Sequence, residues 1–347
     1  MTGTVLGGSN NFFDVSCADG VIRRASLKGK KLRDTGGYYN PLAPGDEVGI
    51  EPDLLDQSQA QITTLLPRRN AFARWNEKGR SLQLLAANIH QAAVVATPGE
   101  PPFRPRFIDR AVIQAQLQHV PPLVVMNKCD LPIAGDVAER LACWEALGYP
   151  VLRVSAKTGA GLDCLAAALG GKRTVLVGQS GVGKSSLVNA LAACGAVFPV
   201  SEEDFFDEPH NFPLNGLKPG KLPAAPGMRQ KTAPLSAKFR RGSHATTRGV
   251  LLEVPLAGGG IAALVDTPGI RHLTLPGLEG RDVPLYFPEM AALTLRCAFG
   301  PSCTHTVDPG CAITEALRQG AVHPDRYRSL LSLMDACRKF PFLKFPV

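Results

Sequence analysis

Thr174-Val175-Leu176-Val177-Gly178-Gln179-Ser180-Gly181-Val182-Gly183-Lys184-Ser185 is the stretch that decides the fold. A short β-prone run enters G-x-x-x-x-G-K-S, and a helical pattern from Lys184 to Ala193 leaves it. That strand–loop–helix setting separates a phosphate-binding loop from a chance match. Its glycines let backbone N–H groups and the helix N-terminus wrap a polyphosphate. Gly178, Gln179, Ser180, Gly181, Val182, Gly183, Lys184, Ser185 and Ser186 form the expected nucleotide-phosphate contact. Lys184 would reach the β- and γ-phosphates, and the Ser185 hydroxyl would hold Mg²⁺.

Outward from this loop, near-continuous apolar runs recur at Ala92–Ala96, Leu123–Met126, Val151–Val154 and Ile261–Val265. Such runs suit a parallel sheet buried on both faces. Helical patterns lie between them at Asp109–Gln118, Asp136–Leu147 and Gly161–Leu169, so residues from about 90 onward read as a doubly wound α/β domain. Polar signatures follow the strands, where ligands bind in such folds. Asn127-Lys128-Cys129-Asp130 follows the second strand and selects the base. The Asp130 carboxylate can accept from the paired N1–H and N2–H donors of guanine, which adenine lacks. Asn127 can bond the base, Lys128 can lie over it, and Ser155-Ala156-Lys157 would offer a backbone N–H to its O6.

Asp266-Thr267-Pro268-Gly269 ends the last strand. Asp266 would hold Mg²⁺ through water, and the Gly269 N–H would meet the γ-phosphate. Upstream, Ser243-His244-Ala245-Thr246-Thr247-Arg248-Gly249 offers hydroxyls for the metal, with Thr246 and Thr247 both candidates. The signatures make a complete GTPase set in an unusual order: base recognition, phosphate loop, then switches. A closed fold tolerates such a permutation when the original ends are joined and the chain is cut elsewhere. Ile270 stands where many GTPases carry a water-orienting Gln, so a low intrinsic rate is expected. His244 is the nearest polar candidate for catalysis beside Lys184.

The chain's 347 residues suit two or three domains. Residues 1–67 read as about five short strands, among them Thr4–Leu6, Phe12–Val15, Gly20–Arg23 and Gln61–Leu65, and suggest an OB-fold-like barrel. Arg23, Arg24, Lys28, Lys30, Lys31 and Arg33 would decorate its edge. The GTPase domain is expected over 68–277, with a long basic, Pro-rich insertion at about 199–242, and a C-terminal domain over 278–347. There Cys297, Cys303, His305 and Cys311 follow C-x5-C-x-H-x5-C, a donor set for a closed, structural Zn²⁺ site. A helix is expected from Asp325 to Lys339.

Lys and Arg outnumber Asp and Glu by 38 to 30, which leans toward an anionic partner. Collagen, coiled coil and global disorder do not fit the composition. No apolar run reaches the ~18–20 residues of a membrane span, and the N-terminus lacks a leader pattern. Nine cysteines, six of them scattered singly, suit a reducing compartment. A cytoplasmic protein is expected.

With NKCD, SAK, GQSGVGKS and DTPG in this order between a basic barrel and a C-x5-C-x-H-x5-C segment, the chain resembles the RsgA (YjeQ) family of small-subunit-dependent GTPases. The resemblance implies a factor that docks on the maturing small ribosomal subunit and its rRNA, hydrolyses GTP to GDP when stimulated by it, and then leaves. It implies no membrane, and a monomer is expected. The chain departs from the family's usual HTTT at His244-Ala245-Thr246-Thr247, and the 199–242 segment is long for it. A GTPase acting on another RNA, or a nucleotide-gated RNA-binding module with little turnover, remains an alternative.

Overall fold

A computed structural model describes residues 1–9, 11–27, 37–76, 80–194, 249–257, 259–267, 273, 275 and 277–339. The basic insertion, Lys28, Lys30, Lys31, Arg33, His244, Thr246, Thr247, Gly269 and Ile270 lie outside these residues.

Five strands close the N-terminal barrel: β1 (Thr2–Ser9), β2 (Phe12–Cys17), β3 (Ile22–Leu27), β4 (Glu47–Pro52) and β5 (Gln59–Leu65). Their order is β1-β2-β3-β5-β4, closed by β1 on β4, with β3 and β5 parallel and the other pairs antiparallel. Period-two alternation sends Val5, Val15, Ala25, Val48, Ile50 and Ile62 inward, while Phe12, Asp14 and Arg24 face out. Arg23 departs from the expected surface row. It shares the inward parity of Ala25, is 4% exposed, and donates to Asp19 at 2.8 Å. The third strand also begins later than its expected Gly20, because Asp19 and Gly20 form the preceding turn.

A hairpin of β6 (Ala71–Asn76) and β7 (Ser81–Ala87) leads into the central sheet. The sheet comprises β8 (Gln91–Ala96), β9 (Pro122–Met126), β10 (Val151–Arg153), β11 (Arg173–Gly178), β12 (Val250–Pro255) and β13 (Ile261–Asp266). Its order is β10-β9-β8-β11-β13-β12, parallel throughout except for the antiparallel edge strand β12. Helices α1 (Pro105–Leu117) and α2 (Gly135–Ala146) cover one face, and α3 (Leu162–Leu169) and α4 (Lys184–Cys194) the other. Strand parity accounts for the two layers. Ala92, Val94, Val124 and Met126 pack with Ile108, Val112 and Trp144, whereas Ala93, Val95, Leu123 and Val125 pack with Leu165 and Leu187.

The barrel is fastened to the sheet by a polar junction. Arg68 grips buried Asp46 through Nε at 2.7 Å and Nη2 at 2.8 Å. Arg173 of β11 and Asn88 both donate to the Gly45 carbonyl, at 3.1 and 3.0 Å. Gly45 sits at φ +90°, and a Cβ there would lie 2.2 Å from the Ala87 carbonyl oxygen, so no other residue fits this approach.

The C-terminal part adds α5 (Pro288–Thr294), α6 (Ala312–Arg318) and α7 (Pro324–Lys339). Leu278, Val283, Phe287, Met290, Ile313, Leu330 and Leu333 form its core, into which Ile113 of α1 also enters. An ion cluster seals this contact. Asp109 of α1 is fully buried and accepts from Arg140 of α2, Trp144 Nε1 at 2.9 Å and Arg326 of α7 at 2.7 Å. Arg326 also holds Glu289 of α5 through two bonds, at 2.6 and 2.8 Å, and lies 4.4 Å over the Phe287 ring.

Candidate nucleotide site and metal centre

The loops at the carboxyl ends of β8, β9, β10, β11 and β13 converge on one edge of the sheet. The loop after β11 rises through Gly178 to Gly183 into α4. A Cβ on Gly183, at φ +92°, would meet Asn127 Nδ2 at 2.4 Å, and that closeness explains the glycine. Lys184 is buried to 6% exposure and folds back onto the loop, donating to the Gly178 and Gln179 carbonyls at 3.0 and 3.2 Å. Burial pulls its ammonium below the ordinary lysine value, partly offset by the charge of Asp266. Phosphate oxygens would restore what that burial costs.

Ser185 Oγ donates to Asp266 Oδ2 at 2.7 Å, so the two expected Mg²⁺-side groups meet directly. Asp266 Oδ1 is buried and has no hydrogen-bond partner among the described residues. An orphaned carboxylate oxygen beside a hydroxyl whose oxygen lone pairs remain available is a donor set that suits a hydrated hard cation. A threonine following this aspartate, Thr267, is buried and donates to the Leu176 carbonyl, which pins the end of β13 to β11.

The base-recognition pair is equally well assembled. Asn127 is 1% exposed; its Nδ2 donates to Val182 O at 2.9 Å and its Oδ1 accepts from Ala156 N at 3.1 Å. Both ends of this amide therefore tie the phosphate loop to the Ser155-Ala156-Lys157 turn, a structural use that the base-contact expectation did not contain. Asp130 accepts from Ser155 Oγ at 2.6 Å and lies 3.8 Å from Lys157 Nζ. The Ser155 hydroxyl is the first reason that Asp130 sits below the ordinary carboxylate range. Lys128, at φ +61°, extends to the Glu100 carbonyl at 2.6 Å. Glu100 has no motif around it, and no signal in the sequence singles it out.

In the C-terminal part, Cys297, Cys303, His305 and Cys311 are all buried, and their donor atoms lie within 4.8 Å of one another. Cys297 Sγ is 3.9 Å from Cys311 Sγ, and His305 Nδ1 is 3.6 and 3.5 Å from those two sulfurs. Tetrahedral Zn–S and Zn–N bonds of ~2.3 and ~2.0 Å require edges of about 3.5–3.8 Å, so the four donors fit the ion. Burial, then the neighbouring thiols, pushes Cys303 up to about 12, a cost that a divalent cation removes. Burial also lowers His305, which favours the neutral ring a ligand needs. Tyr327 Oη donates to the His305 carbonyl at 2.7 Å and docks the loop on α7.

A family model described as RsgA GTPase matches residues 65–276. The chain belongs to the RsgA GTPase family. Membership makes it a GTP hydrolase of the circularly permuted type, as the motif order implies. A relative from Porphyromonas gingivalis, named small ribosomal subunit biogenesis GTPase RsgA, is 35% identical over 343 residues, covering 96% of each chain. The crystal structure of YjeQ from Thermotoga maritima superposes with a TM-score of 0.63 at 26% identity, over 96% of this chain and 97% of that one. YloQ, described as a circularly permuted GTPase, gives 0.59 at 19% identity over 97% and 95%, which bears on fold alone. The RsgA family accounts for a barrel, a permuted GTPase domain and a Cys3His cluster in one chain.

Proposed function

We propose that this chain binds GTP and hydrolyses it to GDP and phosphate while docked on the small ribosomal subunit late in its maturation, with the nucleotide state controlling docking and release. The observation that carries the reading is that Asn127 joins the Asp130 and Ala156 side to the phosphate loop at Val182, while Asp266 at the end of β13 meets the same loop's Ser185. A guanine-selecting carboxylate and a polyphosphate cradle then sit on one surface. The near full-length similarity to a protein named for small-subunit biogenesis supports the ribosomal partner.

In this reading Asp130 and Lys128 hold the base, while Asn127 braces the loops around it. Ser155, Ala156 and Lys157 complete the base side. Gly178 through Ser186 hold the phosphates, and Gly269 meets the γ-phosphate. Lys184 serves both binding and turnover. Ser185, Asp266 and either Thr246 or Thr247 hold Mg²⁺, which neutralises charge developing on the phosphates when bound. His244 supplies the group that Ile270 cannot. Zn²⁺ at Cys297, Cys303, His305 and Cys311 is structural, because the protein fills all four positions. Domain limits of 1–67, 68–277 and 278–347 are supported by the last barrel strand ending at Leu65 and by the family match over 65–276.

A surplus of eight positive charges favours RNA as the docking partner. No described helix is long and apolar enough to cross a membrane; that the chain works in the cytoplasm as a monomer is part of the proposal and goes with its ribosomal partner. Hydrolysis of GTP and ATP by the purified chain, with and without small ribosomal subunits, tests the reading. Strong stimulation of GTP turnover alone is expected. Slow turnover that subunits leave unchanged would sink it.

A further inference from the structure

A cavity of about 470 Å³ opens between the first turn of α1 and the phosphate loop. Its walls include Arg104, Arg106 and Arg110 of α1, Gln179 of the phosphate loop, Leu273 and Asp325 of α7. The charge balance there is one-sided. Asp325 is the cavity's one carboxylate among those wall residues, and it already lies 3.3 Å from Arg140 Nε. Arg106 is 3.9 Å from Asp325, beyond hydrogen-bond reach, and its side chain is 56% exposed. Arg104 is exposed at the N-cap, and the first turn of α1 carries no acidic residue to offset the helix dipole. Arg110 is committed differently: its Nη1 donates to the Leu273 carbonyl at 3.0 Å.

We propose that this cleft receives a phosphodiester of the RNA on which the chain docks, held by Arg104 and Arg106. The inference rests on the ribosomal-subunit reading given above and adds a contact that none of its motifs contains. Arg104, with no carboxylate partner among the described residues, and Arg106, with only a long, exposed 3.9 Å ion pair to Asp325, stand beside the positive end of a helix and form a recess complementary to phosphate oxygens. The recess is large enough for a backbone phosphate and its sugar. Its position gives the contact a consequence. Gln179 belongs to the loop that cradles GTP, and Leu273 lies shortly after the Gly269 of the second switch motif, tethered by Arg110. An RNA phosphate seated here touches both walls, so docking bears directly on the elements that surround the γ-phosphate.

The test compares the full chain with the Arg104→Ala/Arg106→Ala variant and with a charge-keeping Arg104→Lys/Arg106→Lys variant. Four quantities are read: GTP turnover alone, GTP turnover against small-subunit concentration at several salt levels, binding to naked RNA extracted from small subunits, and binding of inorganic phosphate. Both arginines are at the surface, so folding is preserved. In the alanine variant basal turnover stays unchanged. Its half-saturating subunit and RNA concentrations rise about tenfold, and the log–log salt slope falls by about 0.7–0.9 for each phosphate that is no longer neutralised. The lysine variant retains most of the affinity. Unchanged half-saturation and salt slope overturn the proposal. So does an equal loss of basal and stimulated turnover, which would put the arginines inside the nucleotide site. Weaker binding of inorganic phosphate without any change in RNA binding overturns it as well, since the cleft would then be a free-anion site. If subunits fail to stimulate the unaltered chain, the ribosomal reading fails instead, and the naked-RNA isotherm still decides the cleft.

Discussion

Asp109→Ala should detach the C-terminal part from the GTPase domain without melting the central sheet. Asp109 accepts three donors in a fully buried position, from Arg140, Trp144 and Arg326. Hydrogen bonds to a charged group contribute about 1.5–3 kcal/mol each, so the gross loss is about 4.5–9 kcal/mol. Part of it is recovered, because Arg326 keeps Glu289 and Arg140 keeps Asp325. The net cost should fall to about 3–5 kcal/mol, the usual range for leaving a buried charge without its partner. The Arg326 share of that energy, about 1.5–3 kcal/mol, belongs to the contact of α7 with α1, and the Arg140 and Trp144 shares belong to that of α2 with α1. Amide hydrogen exchange in α5 and α7 should therefore accelerate on the order of 10–10²-fold, while β8, β9 and β11 change little. A double-mutant cycle with Arg326→Met isolates the pair and should show non-additivity of about 1–3 kcal/mol. Additivity within ~0.5 kcal/mol, or equal acceleration in the sheet, would refute the assignment of the cluster as the clamp.

Four further outcomes are expected. Asp130→Asn should shift preference from GTP toward xanthosine triphosphate, because the new amide presents a donor to the xanthine carbonyl; an unchanged ratio in competition binding sinks the base contact. Lys184→Ala should lower GTP affinity or stimulated turnover by two orders of magnitude or so, about 2.7 kcal/mol, and retained turnover excludes its phosphate role. Removing the metal with a chelator should release one zinc per chain and loosen the loop from Cys297 to Cys311, with GTP binding largely kept; metal analysis beside nucleotide titration reads both. His90 is held at about 4 by burial, then by Arg69, Arg173 and Lys172, and its Nδ1 accepts from Arg173 N at 2.8 Å. It stays neutral in the folded chain while the unfolded chain takes up a proton below about 6.5. Stability is thus full above about 6.5 and declines as pH falls toward 4. His90→Asn, which keeps an acceptor, should flatten that part of the unfolding profile.

The parallel strands were legible because burial on both faces leaves an unmistakable apolar run, and the loops after them because backbone chemistry fixes their spacing. Other elements gave weaker signals. In β6 the alternation is broken by a bulge between Phe72 and Ala73, and the hairpin packs against α1 through Gln114 and Gln118. Helices α5 and α6 have seven residues each, two turns, too few to display a helical period. Arg23 could have been placed inside by strand parity with Ala25; residue type alone put it on the surface. The ion cluster could not be read at all. Its bonds join Asp109 to Arg140 and Arg326, 31 and 217 positions away, and no local pattern marks any of the three.

Permutation places the chain's C-terminal part immediately after the second switch motif, which on sequence grounds makes that part a follower of the nucleotide. The contacts of α1 refine that inference. One stripe of the helix, Ile108, Ala111, Val112 and Ala115, is buried in the sheet core. Another, with helical spacing, carries Arg106 at the cleft, Asp109 in the ion cluster, Arg110 on Leu273 and Ile113 in the C-terminal core. The C-terminal part is thereby anchored to the helix between β8 and the base-recognition strand β9, on a rigid element. Leu273, shortly after the second switch motif, is tethered to that same helix by Arg110. The Cys3His loop, docked on α7 through Tyr327 and the His305 carbonyl, is thereby fixed to the GTPase domain by the same helix that carries Arg106 to the cleft.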